Sequence, residues 1–446
     1  MAHMDENLLH DMVQSALRAG ADAAEVVSAE RQSLSITVRL GALEEVEREE
    51  ARDLGLRVFI GRQQATVSGS DVSAEARAKL VERAVAMARL APEDPYAGLA
   101  PQDRLANGSS PELDLFDPSE PSAETLEETA RAVEDSARAV AGVTNSEGAS
   151  GGWSSSTWRL VTSSGFSGLH RATGYSLGAS VIAEDEGGME RGWEGRSKRW
   201  REDLPAAEDV GREAGRRAVA QLGARKIEST TAAVIFENRL ASALISALVG
   251  AISGPSVARG VSFLKTKLGQ PVFAKGVDVV DEPHRPRGLG SSPWDDEGVA
   301  NQRMALIEDG VLTTWLLNSA SARQLGLQTT GHASRGLAGP PGVGPSNLTL
   351  LPGEQDPADL MRDAGRGLLV TNMFGPSLNA NTGDWSIGVS GAWFEAGELA
   401  YPVTEITVAG NLIDVYGRLV PGSDLEYRGA SNAPSVLVPD LAIAGR

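Results

Sequence analysis

"FENRLASALISALVGAISG", residues 236–254, is the stretch on which the reading of this chain turns. It follows a short β-like run, "TAAVIF" (231–236), and sets Leu240, Ala243, Leu244, Ala247, Leu248 and Ala251 along one apolar stripe at helical spacing. The opposite side, Ser242, Ile245, Ser246 and Val249, is small or apolar rather than charged. A helix without a polar face belongs in an interior. The segment is expected to be a buried helix at the centre of a domain, and what its row of Ala and Ser faces is the question it raises.

The rest of the chain is long enough to build such an interior. Its 446 residues suggest two or three domains, and 41% hydrophobic content is ordinary for a soluble protein. No run approaches the roughly 18 apolar residues of a membrane span, and no signal sequence is read at the start. Residues 1–4, "MAHM", look like a cloning scar, which leaves His3 uninformative. The absence of cysteine excludes disulfides, thiolate ligands and a cysteine nucleophile, and a cytoplasmic setting is expected. With 41 Lys and Arg against 60 Asp and Glu, the net charge of −19 argues against a nucleic-acid partner, which needs a basic patch.

Working back toward the start, residues 5–225 state one pattern twice. In the first subdomain (5–91), "DENLLHDMVQSALRAG" predicts an amphipathic helix ending at Gly20. Strand-like runs "AEVVSAE", "SLSITVRL", "GLRVFIG" and "QATVSG" follow, then a helix near 74–91. Residues 92–121, rich in Pro, Asp and Ser, read as a linker or long surface connection. The second subdomain (122–225) opens on a helix capped by Ser122, continues through strands over 143–200, and closes with a helix between Pro205 and Gly223. Helix, antiparallel strands, helix, twice over, implies α+β layers rather than a parallel sheet.

Working forward, residues 229–446 are punctuated by Gly and Pro and read as a β-rich domain enclosing the helix at 238–251. Asp309-Gly310 and Ala396-Gly397, each between apolar runs, mark hairpins.

Tests for resident chemistry return little. No two of His3, His10, His170, His284 and His332 lie within five residues, so no helix carries a zinc pair one turn apart. Gly148-Ala149-Ser150-Gly151-Gly152 matches GxSxG, but it is read as a flexible turn rather than a strand-to-helix elbow. There is no phosphate loop of the GxxxxGK[ST] kind. "EEVEREEARD" (44–53) reads as a solvated strand edge whose charge blocks stray pairing.

Two stretches are candidates for binding. "DEPHRPRGLGSSPWDDEGVA" (281–300) gathers His284, Arg285, Arg287, Trp294, Asp295, Asp296 and Glu297. It either clamps a peptide or partner, or holds its own shape by pairing Arg285 and Arg287 with Asp295 and Asp296. "NANTGDWSIGVSGAWFE" (379–395) alternates at strand period. Its Gly388 and Gly391 let another backbone approach, either a peptide adding as a strand or a neighbour within a barrel.

These two stretches, with "SFLKTKLGQPVF" and the run through "TTGHASRG", resemble the TldD/PmbA family, and within it the TldE (PmbA) branch. The resemblance spans essentially the whole chain and is strongest from about 230 to 443. It implies half of a TldD–TldE heterodimer that cleaves unstructured peptides and trims leader peptides from ribosomally made products, in a family also described as modulators of DNA gyrase. In TldD the buried helix carries HExxxH, and a C-terminal cysteine completes the metal site. Carried onto this chain, those helix positions fall at Ser246, Ala247 and Ala251, and the cysteine has no counterpart. The resemblance therefore implies a subunit with no metal or catalytic residue, zinc being expected only on the TldD-type partner, and a homodimer when the chain is alone. Two rivals remain at this point: a stand-alone hydrolase using His284 or His332, and a peptide-binding or gyrase-regulating module without protease activity.

Overall fold

A computed structural model describes residues 4–107 and 111–446. Of the residues read as a scar, 1–3 lie outside this range; Met4 is buried in the first core, its N–H 2.7 Å from Glu30 Oε1.

The first half begins with α1 (Glu6–Arg18), capped by the Asp5 carboxylate on the Asn7 N–H. Then come β1 (Ala23–Arg39), β2 (Ala42–Ile60), β3 (Gln63–Gly69) and α2 (Ala74–Leu90), which Ser73 caps. The second repeat supplies α3 (Ala123–Arg138), β4 (Val143–Thr162), β5 (Ser167–Asp185), β6 (Gly188–Lys198) and α4 (Ala207–Val219). Ser122 caps α3 as its sequence suggests, accepting from the Thr125 N–H at 3.2 Å.

The two repeats form one continuous six-stranded antiparallel sheet, in the order β3-β2-β1-β4-β5-β6. The junction is the long pairing of β1 with β4, from Glu25 opposite Thr162 to Val38 opposite Ala149. Residues two apart on a strand share a face. Ala24, Val26, Leu34, Ile36 and Val38 thus turn to one side of β1, where they pack with residues of α1, α2, α3 and α4. Val27 turns to the other side, joining Leu160, Phe166, Trp294 and Val299. One face of the sheet carries the helices, and the other receives the C-terminal half.

The GxSxG match lies inside β4, with Ser150 opposite Thr37 and Gly178, so the expected turn is a strand. On either side of residues 108–110 the stretch read as a linker makes buried contacts: Leu105 bridges to Val299, and Leu113 and Leu115 are buried against Ala172.

The C-terminal half holds β7 (Thr230–Phe236), which runs into α5 (Asn238–Ile252) after the single residue Glu237. β7 pairs in parallel with the strand Arg366–Leu378 and antiparallel with Val436–Ala444. Arg366–Leu378 continues through Asp384–Glu395 to Glu398–Asn411. That last strand pairs back onto Val436–Ala444, which closes a five-stranded barrel. Both hairpin signals form two-residue turns with positive φ at each position: 46° and 79° at Asp309-Gly310, 51° and 80° at Ala396-Gly397. A second, five-stranded sheet includes Val279–Asp281, Met304–Glu308 and Leu348–Leu350.

α3 and α4 cross at backbone contact. A Cβ on Gly211 would stand 2.1 Å from the Val133 carbonyl oxygen, closer than any side chain allows. Gly250 of α5 is the contrary case, for a Cβ there meets nothing within 4 Å. Gly211→Leu is therefore expected to lower stability in urea unfolding by about 1–3 kcal/mol or more through overpacking. Gly250→Ala should leave stability unchanged or raise it by up to ~1 kcal/mol, because helical glycine costs backbone entropy.

Candidate functional site

α5 carries the three positions that the resemblance marks, and it is less enclosed than its composition suggests. Ala241, Leu244, Ile245, Leu248, Ala251 and Ile252 face the core, packed with barrel and loop residues such as Trp385, Val408 and Tyr416. Ala243, Ser246 and Gly250 are exposed along one line, with Ala247 half-buried beside them. The expected stripe is out of phase, since Ile245 belongs to the core and Ala243 does not. The small residues thus mark an open face of a largely buried helix.

Of the three marked positions, Ser246 donates its hydroxyl to the Ser242 carbonyl, 2.9 Å away, one turn back in its own helix. Ala247 and Ala251 end in methyl groups. Zinc takes imidazole, carboxylate or thiolate donors, and this set supplies none of them. Among the described residues no three His, Cys, Asp or Glu side chains gather where a metal could be held. The donor chemistry of α5 does not fit zinc.

The 281–300 loop is organised by burial and local pairing. Trp294 lies against Phe166 and His170, ring centroids 5.2 Å away in each case, and fills the space over Gly168. Burial, with Arg199 nearby, lowers His170 to about 4 and keeps it neutral. Arg285 pairs with Glu282 and covers the Tyr427 ring at 3.7 Å. Arg287, at φ 55°, reaches Asp114, Glu202 and Asp203 and covers Trp200. Neither arginine meets Asp295 or Asp296, as one reading of the sequence proposed. The arginines fasten the loop outward to the second repeat and to the 427 segment, while the acids point inward.

Those acids form a buried knot where the loop meets the first sheet. Asp295 accepts from the N–H groups of Glu297, Val299 and Ala333 at 2.9–3.0 Å. Glu297 accepts from the Ser319 N–H at 2.8 Å, and Asp296 from the Arg335 N–H at 2.8 Å. The Arg335 side chain, fully buried, reaches Glu25 on β1, which also holds Arg57 of β2 at 3.2 Å. Burial raises all three loop acids, Asp296 to about 6; the Glu297 charge adds to the rise at Asp295, and that of Glu25 to the rise at Glu297.

His284 Nε2 is 2.8 Å from Asn301 Oδ1. His332, buried, lies 3.3 Å from Asp281 Oδ2 and 2.8 Å from Thr330 Oγ1. These two histidines are held by different partners and do not form one site. Gly388 and Gly391 do admit a close backbone, but it is the neighbouring strand of the barrel. A Cβ on Gly391 would fall 1.9 Å from the Leu369 carbonyl oxygen, and one on Gly388 would strike Phe374.

A second charged cluster escaped sequence reasoning. Glu194 on β6, 1% exposed, holds Arg196, Arg217 and Arg428. Arg217 clamps Glu237 with two hydrogen bonds, of 2.9 and 2.6 Å. The cluster joins α4 to the start of α5, and its residues lie too far apart in sequence for any local pattern to announce it.

Three family models match in chain order: PmbA/TldA metallopeptidase domain 1 over residues 24–88, the central domain over 116–222 and the C-terminal domain over 229–445. The fold is thus that of a metallopeptidase-like protein. Metalloprotease PmbA of Escherichia coli O157:H7 is 38% identical over 444 residues, covering 98% of this chain and 96% of the relative. A PmbA homolog of Haemophilus influenzae is 35% identical, covering 97% and 94%. The chain belongs to the TldD/PmbA family. Among solved structures, a modulator of DNA gyrase (so named provisionally) from Bacteroides thetaiotaomicron superposes with a TM-score of 0.92 at 26% identity, over 99% of this chain and all of that one. TldE from Thermococcus kodakarensis shares the fold, with a TM-score of 0.88 at 18% identity over 98% of this chain and all of that one.

The acid knot makes stability depend on pH. Between the ordinary Asp value of 3.8 and about 6, the folded chain keeps a proton on Asp296 that the unfolded chain releases. The unfolded state binds fewer protons there, so stability falls as pH rises through that window. Asp296→Asn removes this slope and is expected to raise stability at pH 7.5 by on the order of 1–3 kcal/mol. Urea unfolding at pH 5 and 7.5 checks it: the variant should gain more at the higher pH, and an equal effect at both would contradict the assignment.

Proposed function

We propose that this chain is a TldE-like, non-catalytic subunit that completes the peptide cavity of a TldD-type zinc metallopeptidase in the cytoplasm, acting on unstructured peptides, including leader segments of ribosomally made products. One observation carries the reading: Ser246, Ala247 and Ala251 stand where the resemblance places two ligands and a general base, on a helix otherwise retained. Hydrolysis at zinc needs ligands, a base and the water they activate. The helix supports none of these, yet it keeps an exposed line at Ala243, Ser246 and Gly250. Small residues on an open face suit close approach by a substrate backbone or a partner element. Zinc belongs, in this reading, to the partner alone. The name given to the Bacteroides neighbour, a modulator of DNA gyrase, is accommodated as an indirect effect of peptide processing.

The separate-hydrolase reading gains no support from His284 or His332, which are tied to Asn301 and to Asp281 with Thr330.

The purified chain is expected to hold no stoichiometric zinc and to leave casein and an unfolded peptide intact. Mixed with a TldD-type subunit carrying HExxxH, it should give chelator-sensitive cleavage. Light scattering should show a dimer, with itself when alone and with the partner when mixed. Proteolysis by the isolated chain, lost on chelation, would overturn the proposal. The triple variant Ser246→His, Ala247→Glu, Ala251→His should also remain inactive. Ala251 is buried, and overpacking there costs about 1–3 kcal/mol, while two imidazoles fall short of the usual three protein ligands.

A further inference from the structure

A cavity of about 390 Å³ lies where α4 and the first turn of α5 meet the barrel strands Arg366–Leu378, Asp384–Glu395 and Glu398–Asn411. Its lining reaches α5 at Arg239, one turn before Ala243, and includes no residue of the acid knot. Leu369, Ala392, Leu399 and Pro402 give it an apolar wall, and Leu399 is left 57% exposed. Facing that wall are Arg216 of α4, Gln221 just past its end and Arg239 of α5, beside Glu213 and Arg217, which pair with each other at 3.1 Å.

Two of the three facing residues, Gln221 and Arg239, have buried atoms without a hydrogen-bond partner. Gln221 is 3% exposed and its Oε1 has no hydrogen-bond partner. The Arg239 side chain is 5% exposed and lies over the Trp193 ring. Its Nη2 donates to the Thr371 carbonyl at 2.6 Å and its Nε lies 3.7 Å from Glu237 Oε2, an ion pair beyond hydrogen-bond reach, so that Nε and Nη1 are buried without a hydrogen-bond partner. The exposed Arg216 guanidinium has no hydrogen-bond or ion-pair partner among the described residues. Buried polar atoms are nearly always satisfied, so an acceptor and two donors left unmatched on two residues that line one cavity call for an explanation.

The unmet groups specify a ligand. The unpaired Arg216, with the unmatched donors of Arg239, asks for a carboxylate, Gln221 Oε1 asks for an N–H donor, and the wall asks for an apolar group. The volume lies within the roughly 300–1,000 Å³ typical of small-ligand sites, enough for a chain end and too little for a folded segment. The last residue of a peptide carries all three features on adjacent atoms. We infer that this cavity binds the C-terminal residue of an extended peptide with an apolar side chain, its carboxylate between Arg216 and Arg239 and its amide N–H on Gln221. Small shifts of the Gln221 and Arg239 side chains bring their covered atoms to the ligand. A free apolar acid shares the carboxylate and the apolar group but lacks the N–H. The choice of a peptide over such an acid rests on the peptide-handling role proposed above.

Titration calorimetry on the isolated full chain tests this with three probes: N-acetyl-Ala-Leu as the free acid, the same dipeptide as its C-terminal amide, and 4-methylpentanoic acid. The peptide acid should bind with one-to-one stoichiometry. The amide should bind at least tenfold more weakly, and the free acid more weakly than the peptide acid. Arg216→Gln, at an exposed position with no partner to lose, should reduce the peptide acid to the level of the amide. Ala392→Trp should block all three probes, with circular dichroism confirming the fold. Equal binding of acid and amide, indifference to Arg216→Gln, or no binding by any probe would overturn the inference. Tighter or equal binding of 4-methylpentanoic acid would overturn the assignment to a peptide. None of these results touches complex formation or metal-dependent cleavage, which are read separately.

Discussion

Closure of the barrel is the constraint on which the rest of the structure depends. β7 pairs with Val436–Ala444 on one side and with Arg366–Leu378 on the other, and Val436–Ala444 pairs onward to Glu398–Asn411, so β7 has no free edge. With Glu237 alone between β7 and α5, the helix inherits its origin and direction from the sheet. Its first turn is fixed again when the Glu237 N–H meets the Val370 carbonyl at 3.2 Å. Deeper in, the wholly buried Tyr416 donates its hydroxyl to the Leu244 carbonyl at 2.9 Å, which satisfies a phenol that burial would otherwise penalise. The open line of Ala243, Ser246 and Gly250 is therefore presented by a helix held at both its start and its core.

The two halves are joined by charge as much as by apolar contact. Glu194 with its arginines ties α4 and the 428 segment to the start of α5, and Glu25 with Arg335 and Arg57 ties the first sheet to the 294–297 loop. Buried ion pairs give back much of their Coulomb energy in desolvation, so they contribute less to stability than their number suggests. Removing one partner leaves a buried charge uncompensated, which makes such clusters sensitive to misdocking. Apolar packing of Trp294 on Phe166 and His170 supplies the accompanying area. The barrel domain is thereby held in one orientation on the sheet, and the cavity between α4 and the barrel exists because of that docking.

Local signals in the sequence proved dependable where the physics is local. Ser122 caps the helix it precedes, and the Asp309-Gly310 and Ala396-Gly397 turns form as read. The phase of α5 misled because Ala and Ser suit either side of a helix, so that only tertiary packing decides between Ala243 and Ile245. The union of two repeats in one sheet rests on β1 meeting β4, strands more than a hundred residues apart, and no periodicity encodes that. Likewise Arg285 and Arg287 have acids within their own loop, but they take Glu282 on one side and Asp114, Glu202 and Asp203 on the other. The close approach at Gly391 was legible as a requirement, though not as the neighbouring strand's carbonyl that imposes it. That Ser246, Ala247 and Ala251 stand at positions of interest is implied only by resemblance, because small side chains leave no chemical pattern of their own.

The central claim is that this chain contributes shape and not metal to a peptidase. Its most direct test is the zinc content of a purified, active one-to-one complex with a TldD-type subunit, measured by elemental mass spectrometry against protein mass. The account predicts one zinc per pair of chains, retained in full when Ser246 and Gly250 are both replaced by alanine. Two zinc ions per pair, or one that is lost with those replacements, would contradict it.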